Sequence, residues 1–476
     1  MAGAHGPKVN SMETSVKFDA DLVRRYDRPG PRYTSYPTAV QFHDGFREAE
    51  YRNAAASTNG ATPPAPLSLY VHVPFCASPC FYCGCTKIIT RNREQAESYL
   101  TRLYREIELQ AALFDRERVV DQLHFGGGTP TFLNPWQLED LLKKLGWHFQ
   151  LRSDDQREFS IEIDPRTCDL DTVDLLARAG MNRMSLGIQD FDPEVQQAVN
   201  RIQSPEQTFA IMERARRAGF KSVSVDLIYG LPKQNRERFA HTLDRVLAER
   251  PDRFAVYSYA HLPHMFKPQK RIKSEDIPSG AEKLALLGLT MDKLTGAGYV
   301  YIGMDHFALP DDELAVALRE GSLHRNFQGY STHADCDLVA LGVSSIGKLG
   351  DTYAQNYKTL HDYYQAIDSG HLAVHRGLVL NDDDRLRRAV IQDIMCRARI
   401  DYAHIEQAWP VRFEEYFARE IAALAGPVED GLVVMRERGF ELTPVGRLLM
   451  RNVAMCFDAY LPGHQQSETP RFSRAV

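Results

Sequence analysis

Four cysteines lie within the ten residues from Cys76 to Cys85, inside the segment LSLYVHVPFCASPCFYCGC (67–85). The spacing of Cys76, Cys80, Cys83 and Cys85 is C-x3-C-x2-C-x-C. Thiolates are soft ligands that suit zinc or an iron–sulfur cluster. Structural zinc sites usually draw their ligands from two separated pairs, and no second pair lies near this loop. Three of the cysteines could instead hold three corners of a four-iron cluster and leave one iron open, which favours a cluster over a zinc loop or a disulfide pair.

The elements that must position this loop are predicted by a regular alternation of strand and helix patterns from residue 67 to about 260. The candidate strands are 67–73, 119–125, 159–164, 183–189, 221–228 and 253–260, with apolar residues at helical spacing between them. Alternating strands and helices form parallel sheets with right-handed crossovers. Because six such units are fewer than the eight of a complete barrel, we predict an α/β fold built on a partial (β/α)6 TIM-like barrel.

Polar side chains alternate with apolar ones along four of these strands. Residues i and i+2 of a strand share a face, so Tyr70, Glu162, Gln189 and Asp226 fall on the polar faces of their strands. The apolar faces must pack on the helices, which leaves the polar faces to line the barrel interior. A half-solvated sheet with helices on one side is the alternative, but it does not explain why polar residues gather near the carboxyl ends of the strands. We therefore predict an open barrel with a ligand inside.

A glycine-rich segment follows the second candidate strand. In FGGGTPT (125–131) the glycines permit close approach of the backbone to a ligand and offer free N–H groups. A glycine run alone is weak evidence, but its position after a strand and before a helix strengthens the prediction. IEIDP and DLIYGLPKQ lie at the ends of the third and fifth strands.

Proline, tyrosine and arginine are frequent in residues 24–42, RRYDRPGPRYTSYPTAVQF, which therefore cannot form a long helix or a central strand. This segment is either a strap packed over the fold or a lid near the mouth of the site. Residues 431–447 predict a hairpin and a helix that resemble a winged-helix wing, and their mixed charge favours a structural or substrate-covering role over nucleic-acid binding. The predicted divisions are 1–15, disordered; 16–66, strap and linker; 67–350, barrel and its extension; 351–462, a mainly helical domain that includes a helical segment at 353–366; and 463–476, a disordered tail.

Composition restricts the classes of protein to which the chain can belong. It has 476 residues, of which 43% are hydrophobic, and a formal net charge of −6, so it can bury a large core and lacks a strongly basic nucleic-acid surface. Its eight cysteines are too few for a disulfide scaffold, and reduced thiols suit the cytosol. No secretory signal and no apolar run of about 18 residues is apparent. We predict a cytoplasmic protein without a membrane or nucleic-acid partner.

The cysteine spacing C-x3-C-x2-C is the signature of the radical S-adenosylmethionine (SAM) enzymes, which this loop resembles closely. Residues 20–460 as a whole are similar to the oxygen-independent coproporphyrinogen III oxidase (dehydrogenase) family of haem biosynthesis. The resemblance is carried by the stretches GPRYTSYPTA, YVHVPFCASPCFYCGC, LHFGGGTPT, SIEIDPR, LGIQDF, VNR, VDLIYGLPKQ, YAHLP, IGMDHFA, LHRNFQGY and RNVAMCFDAYL. The fold of this family is a partial (β/α)6 barrel with an N-terminal strap and a C-terminal, mainly helical domain.

The resemblance implies a reaction and its cofactors. Two propionate side chains of coproporphyrinogen III, on rings A and B, become vinyl groups with loss of CO2, which gives protoporphyrinogen IX. A [4Fe-4S] cluster chelates SAM at its open iron, and a 5′-deoxyadenosyl radical takes a hydrogen from the propionate β-carbon. Two SAM molecules are expected in the active site, together with a reducing electron donor. A monomer is expected by the same analogy.

The resemblance also assigns residues, each at the position that matches a family motif. Cys76, Cys80 and Cys83 match the cluster ligands, and Cys85 matches a cysteine that is not a ligand. Positions around the first SAM are matched by Tyr70, Gly127, Glu162 and Ile346. Positions around the second SAM are matched by Tyr82, Gly128, Thr129, Gln189, Arg201, Asp226 and Ala260. Each lone polar residue among them could also be a satisfied barrel residue.

Two other classes of function share features with this enzyme. A sister group of radical SAM proteins acts as haem-binding chaperones, which generally lack the strap GPRYTSYPTA and the fourth loop cysteine; both are present here. A simple cluster protein that carries electrons would leave the polar barrel interior and the glycine segment unexplained. Both comparisons favour the oxidase.

Overall fold

The computed structural model of the chain describes residues 18–333, 336–461 and 474. The disorder predicted for residues 1–15 and, apart from Arg474, for the tail 463–476 lies outside the described residues. Within these ranges, no helix is both long enough and apolar enough to cross a membrane.

The centre of the fold is a sheet of six strands that pair in chain order, all parallel. These strands are β1 Leu67–Val73, β2 Val119–Gly127, β3 Glu158–Ile163, β4 Arg183–Gln189, β5 Ser222–Tyr229 and β6 Arg253–Ser258. All six strands predicted from the sequence are therefore present, with bounds that differ by a few residues. The sheet is the parallel core of the predicted partial barrel.

Eight further strands lie between residues 300 and 379. They are β7 Val300–Gly303, β8 His306–Ala308, β9 His324–Asn326, β10 Gly329–Ser331, β11 Asp337–Leu341, β12 Ile346–Leu349, β13 Thr352–Asn356 and β14 Val374–Val379. Strand β11 pairs with β1 in parallel, and β12 to β14 continue that edge with antiparallel pairing. The other edge ends in β8 and β7, which are also antiparallel. Within the described strands the order runs from β7 to β14 without closure, so the barrel is open.

Helices cover the outside of this sheet. They are α1 Ala20–Tyr26, α2 Glu48–Asn59, α3 Glu94–Ala111, α4 Pro135–His148, α5 Leu170–Arg178, α6 Pro193–Ala198, α7 Pro205–Arg217, α8 Arg236–Ala248, α9 Gly280–Gly296, α10 Glu313–Glu320 and α11 Leu360–Asp368. Local signals set their starts: Asn134 caps α4 with Pro135 at its first position, and Ser279 caps α9. Most of these helices bury the apolar faces of the strands in one large core, whereas the buried apolar residues of α1 and α10 belong to a second core.

The helical prediction for residues 353–366 is wrong in its first part. Residues 352–356 form β13, and α11 begins only at Leu360. Pairing with β12 and β14 determines this conformation, because a strand between two others satisfies all of its backbone groups. The sheet therefore continues to Val379, beyond the predicted domain limit at residue 350.

The inner face of the barrel is polar and covered. Ser68 and Gln122 are buried there, and the Gln122 amide nitrogen donates to Ser331 Oγ at 2.7 Å and to Glu158 Oε1 at 2.9 Å. Ser331 belongs to the hairpin of β9 and β10, which lies against the inner face. The alternative of a half-solvated sheet is therefore wrong, since a hairpin covers the side that would have faced water.

The C-terminal part is mainly helical. Its elements are α12 Asp382–Arg397, β15 Arg399–Asp401, α13 Tyr402–Ala408, α14 Phe413–Tyr416, α15 Ala418–Ala423, α16 Ala425–Glu429, β16 Val433–Arg436, β17 Gly439–Leu442, α17 Pro444–Leu448 and α18 Met450–Ala454. The hairpin and helix predicted for 431–447 are present, and β15 adds a third antiparallel strand to the hairpin. These elements form a second core together with residues of α1, the strap, α9, α10 and strands β7 and β8.

The proline-rich segment is a strap between the barrel and the C-terminal part. Tyr33 and Tyr36 are buried in the second core. The Tyr33 hydroxyl donates to the Asp458 carboxylate at 2.9 Å, and the Ala459 backbone N–H donates to the Tyr36 hydroxyl at 3.1 Å. The interpretation as a packed strap is therefore confirmed.

Candidate active site

The cysteine loop leaves the carboxyl end of β1 and is closed by a short parallel ladder. Phe75 pairs with Ile88 and Cys76 with Ile89, so the residues between them project as one compact loop. Cys80 is buried, Cys76 and Cys83 are half-buried, and Cys85 is exposed. None of the eight cysteines forms a disulfide, which removes the disulfide alternative.

The thiols of the loop differ in their electrostatic surroundings. Burial raises the pKa of Cys76 to about 11, although Thr129 Oγ1 lies 3.4 Å from its sulfur. Hydrogen bonding from the Cys85 thiol, together with the nearby Lys87 ammonium, lowers the pKa of Cys83 to about 5 against the effect of burial. The backbone N–H of Cys85 also lies 3.5 Å from the Cys83 sulfur.

The loop thiols are spread too widely for a single ion. Among the described residues, the one group of three possible ligands whose atoms all lie within 4.8 Å of one another is Asp121, His333 and Cys336. A zinc ion holds thiolates at about 2.3 Å and therefore gathers them closely. A four-iron cluster is larger and accepts thiolates that stand further apart. The donor set and its spread fit the cluster and not a structural zinc site.

The glycine segment packs against the base of the cysteine loop. The Gly128 backbone N–H donates to the Val73 carbonyl at 2.8 Å. A Cβ on Gly128 would lie 2.6 Å from the Pro74 carbonyl oxygen, and Gly127 has a φ of +119°. Only glycine permits this approach. A Cβ on either glycine would thus meet the chain itself, and its absence lets β2 pack closely against the loop that carries the thiols.

Two arginines and one aspartate surround the Cys80 sulfur. Nη1 of Arg201 and Nη2 of Arg166 each lie 3.5 Å from Sγ, and both guanidinium groups donate to Asp164, at 3.1 and 2.6 Å. Burial alone would raise the pKa of Asp164, but the charges of Arg201 and Arg166 hold it at about 2. Arg201 is buried and pairs with Asp164.

Gln189 lies at the end of β4 in a strained conformation. Its φ is +66°, a region that is costly for a residue other than glycine, and the pairing register shifts between Gly187 and Gln189. Its Nε2 lies beside Gly187, next to Arg201, and its Oε1 is buried without a hydrogen-bond partner. Strain and an unpartnered polar atom at the carboxyl end of a barrel strand indicate a ligand position.

Four inward-facing side chains continue the site across the barrel. The Tyr70 and His124 rings stack at 5.8 Å, and His124 Nε2 lies 3.3 Å from Glu162 Oε1. The Gly127 backbone N–H donates to Glu162 Oε2 at 3.2 Å. Desolvation and the nearby Glu162 raise the pKa of Asp226 to about 7, although the Ser185 hydroxyl donates to it. Asp226 can therefore exchange between proton donor and acceptor near neutral pH.

The remaining predicted residues lie at the rim. Gln269, which is buried, donates from Nε2 to the carbonyls of Tyr82 at 2.8 Å and Ala260 at 3.1 Å. It thereby ties the cysteine loop to the segment after β6. Ile346 begins β12 and is half-buried. The structure thus brings the predicted residues from the ends of β1 to β6 around the cysteine loop, with Ile346 on the strand next to β11.

Sequence analysis missed His124, Arg166 and Gln269. The alternation along β2 would have placed His124 on the inner face, and Arg166 follows the motif IEIDP directly. No sequence pattern marks Gln269, because its contacts join segments 187 residues apart.

The chain is similar to known proteins in both sequence and structure. Residues 70–246 match the Radical SAM superfamily, and residues 380–449 match the HemN C-terminal domain. The chain is 52% identical over 465 residues to the oxygen-independent coproporphyrinogen III oxidase of Pseudomonas aeruginosa, with 98% of this chain and 100% of the relative covered. It is 50% identical to the protein of the same name from Escherichia coli K12, covering 97% and 99%. The solved structure of coproporphyrinogen III oxidase from Escherichia coli, a radical SAM enzyme, superposes with a TM-score of 0.89 at 50% identity over 94% of this chain and 100% of that one.

Proposed function

Because this chain belongs to the oxygen-independent coproporphyrinogen III oxidases, a family of radical SAM enzymes that use a [4Fe-4S] cluster, we propose that it converts the ring A and B propionates of coproporphyrinogen III into vinyl groups. The product is protoporphyrinogen IX. The observation that carries this proposal is the cysteine loop facing a polar, open barrel in a chain that is similar to these oxidases over nearly its whole length. When bound, the cluster and SAM supply the radical that removes a hydrogen atom from the propionate β-carbon. The substrate then loses CO2 and passes one electron to an external acceptor.

Cys76, Cys80 and Cys83 hold the cluster in this proposal. Cys85 supports Cys83 by hydrogen bonding and leaves one iron free. Arg166 and Arg201 place positive charge beside Cys80, which offsets the negative charge that thiolate ligands accumulate. Two observations support these three cysteines as ligands: the wide spacing of the thiols and the two guanidinium groups beside the Cys80 sulfur.

The residues around the loop divide between two SAM positions. Tyr70, Gly127, Glu162 and Ile346 serve the first, and Tyr82, Gly128, Thr129, Gln189, Arg201, Asp226 and Ala260 serve the second. The unpartnered Oε1 of Gln189 and the weakly bonded carboxylate of Asp226 support this division, since both have hydrogen-bonding capacity that the chain leaves unused. Glu162 accepts only long hydrogen bonds, so it can still bind ribose or ammonium groups.

The cellular setting is part of the same proposal. The enzyme acts as a cytoplasmic monomer with an external reducing electron donor. The wing-like hairpin has a structural or substrate-covering role and binds no nucleic acid, because its charges are mixed.

The decisive experiment is an anaerobic assay of the reconstituted protein with coproporphyrinogen III, SAM and a reductant, followed by analysis of vinyl products and CO2. Arg201→Ala and Asp226→Asn should keep the cluster absorbance and lose product, while an exposed change such as Arg419→Ala should have no effect. A wild-type protein that retains haem through gel filtration and releases no CO2 would instead identify a haem-binding chaperone.

A further inference from the structure

Arg325, on β9, is buried, and no carboxylate among the described residues pairs with it. The residue is only 3% exposed to solvent. Its Nε donates to the Arg32 carbonyl at 3.4 Å, and its guanidinium lies over the Tyr330 ring at 4.7 Å. Nη1 has no hydrogen-bond partner. No acidic side chain within the described ranges forms an ion pair with Arg325, although many other arginines of the chain have one.

A buried guanidinium without an ion-pair partner is stabilised when it binds an anion. Arginine stays protonated in proteins and cannot escape the cost of burial by losing its proton. Buried charges in folded proteins are therefore paired with an opposite charge or bind a charged ligand. The neutral contacts of Arg325 do not balance its charge, so the position is suited to a group that arrives with the substrate.

Arg32 of the strap adds a second guanidinium. It pairs with Asp305 and lies 5.5 Å from the centre of the Tyr257 ring. Asp305 therefore balances the charge of Arg32, whereas no ion pair among the described residues balances the charge of Arg325. Burial and the charge of Arg325 lower the pKa of Arg32 to about 10.

His306 contributes a neutral polar group to the same place. Its ring stands perpendicular to Tyr257 at 6.1 Å and to Tyr330 at 5.4 Å. Its Nδ1 is buried without a hydrogen-bond partner. Burial, with the charges of Arg325 and Arg32, holds the pKa of His306 well below its ordinary value, so the ring is neutral and one nitrogen can donate to an oxygen.

Arg32 and Arg325 lie next to the active site, and each of them lines a cavity. Tyr257 lies on β6 two residues beyond Ala255, which pairs in register with Asp226. Arg325 lines a cavity of about 600 Å³ that reaches the inner face of the barrel at Gln122. Arg32 lines a second cavity, of about 330 Å³, together with Ala260.

We propose that Arg325 and Arg32, assisted by His306, form the subsite that binds a propionate carboxylate of the tetrapyrrole substrate. This inference rests on the proposed function for the identity of the ligand. A guanidinium fork binds both oxygens of a carboxylate through parallel, charge-assisted hydrogen bonds. Because Arg32 belongs to the strap, the strap supplies half of the subsite, which gives it a role in substrate recognition besides packing.

The test compares a ligand that has carboxylates with one that has none. Fluorescent coproporphyrin III, a stable tetracarboxylate, and its tetramethyl ester are titrated anaerobically into the cluster-loaded enzyme. In the wild type the acid should bind more tightly than the ester. Arg325→Met should reduce this preference about tenfold or more, the range for hydrogen bonds to charged groups, while affinity for the ester stays within about twofold. Arg325→Lys keeps the positive charge but not the forked guanidinium, so its preference for the acid should fall less than that of Arg325→Met.

A matched control separates recognition from folding. Arg447 is half-buried and, like Arg325, lies over an aromatic ring. Its Nη2 donates to the carbonyls of Tyr301 and Ile302, so Arg447→Met should leave the preference for the acid unchanged. A variant that loses acid and ester binding together is misfolded, and Arg325→Lys then decides the question.

The outcomes also separate this inference from the proposed function. Wild-type product formation with an unchanged preference for the acid in both Arg325 variants would overturn the subsite alone. Acid binding that depends on Arg325 in a protein that forms no vinyl product would overturn the proposed reaction and leave the subsite standing.

Discussion

The carboxyl group of Glu106 on α3 holds the loop that precedes Ile346, and its effect on the stability of the protein should depend on pH. The side chain is fully buried and accepts hydrogen bonds from the Gly342 backbone N–H at 2.6 Å, Asn356 Nδ2 at 2.6 Å and the Tyr363 hydroxyl at 2.7 Å. Burial raises the pKa of Glu106 to about 7, although these three donors favour the charged form. The loop from β11 to β12 is therefore held by a carboxyl group that titrates near neutral pH.

The direction of the pH effect follows from the raised pKa. The folded protein keeps a proton that the unfolded chain, with an ordinary pKa of 4.5, releases. The stability that Glu106 contributes is thus complete below the unfolded pKa and is lost as the pH rises through about 7. Since one pKa unit corresponds to 1.36 kcal/mol, raising the pH from about 5.5 to about 8 should cost the wild type roughly 2 kcal/mol of unfolding free energy through this group.

The assay is urea unfolding of the cluster-free protein, followed by tryptophan fluorescence under reducing conditions at both pH values. Glu106→Gln removes the titration, so its unfolding free energy relative to the wild type should rise by roughly 2 kcal/mol between the lower and the higher pH. Glu108→Gln, on the same helix and more exposed, is the control and should show no such rise. A wild-type difference from Glu106→Gln that is constant with pH would refute the argument.

Three further predictions concern the site. Cys85→Ala should keep nearly wild-type iron content after anaerobic reconstitution while Cys76→Ala loses it; equal loss in both variants would contradict the three-ligand assignment. Gln189→Ala should lower vinyl product formation with an unchanged thermal midpoint, because a side chain with an unpartnered oxygen adds little to the core, and a clearly lower midpoint would speak against a ligand position. Arg166→Met should retain the cluster and shift its midpoint potential to a more negative value in a redox titration, since a positive charge beside Cys80 favours the reduced state; an unchanged potential would show that the guanidinium has no such effect.

The features of this protein that are set by residues close together in the chain were predictable from its sequence. The spacing of the cysteines identifies a cluster loop, because ligands within one loop are set by chain geometry alone. The alternation along β1, β3 and β5 places Tyr70, Glu162 and Asp226 on the inner face, since a period of two follows from the pleat of a strand. The order of the six parallel strands also follows from the sequence, because short crossovers allow few topologies.

Tertiary structure decided what depends on distant segments. The helical pattern predicted for 353–366 fails at its start, where residues 352–356 form β13, because two neighbouring strands supply partners for their backbone groups. The group of Asp164, Arg166 and Arg201 around Cys80 exists only because the segment after α6 folds back on the cysteine loop. Arg325 and Arg32 are 293 residues apart in the chain, and neither position alone signals a carboxylate site. The charge balance of a buried site is a sum over all the segments that enclose it, and only the folded chain brings those segments together.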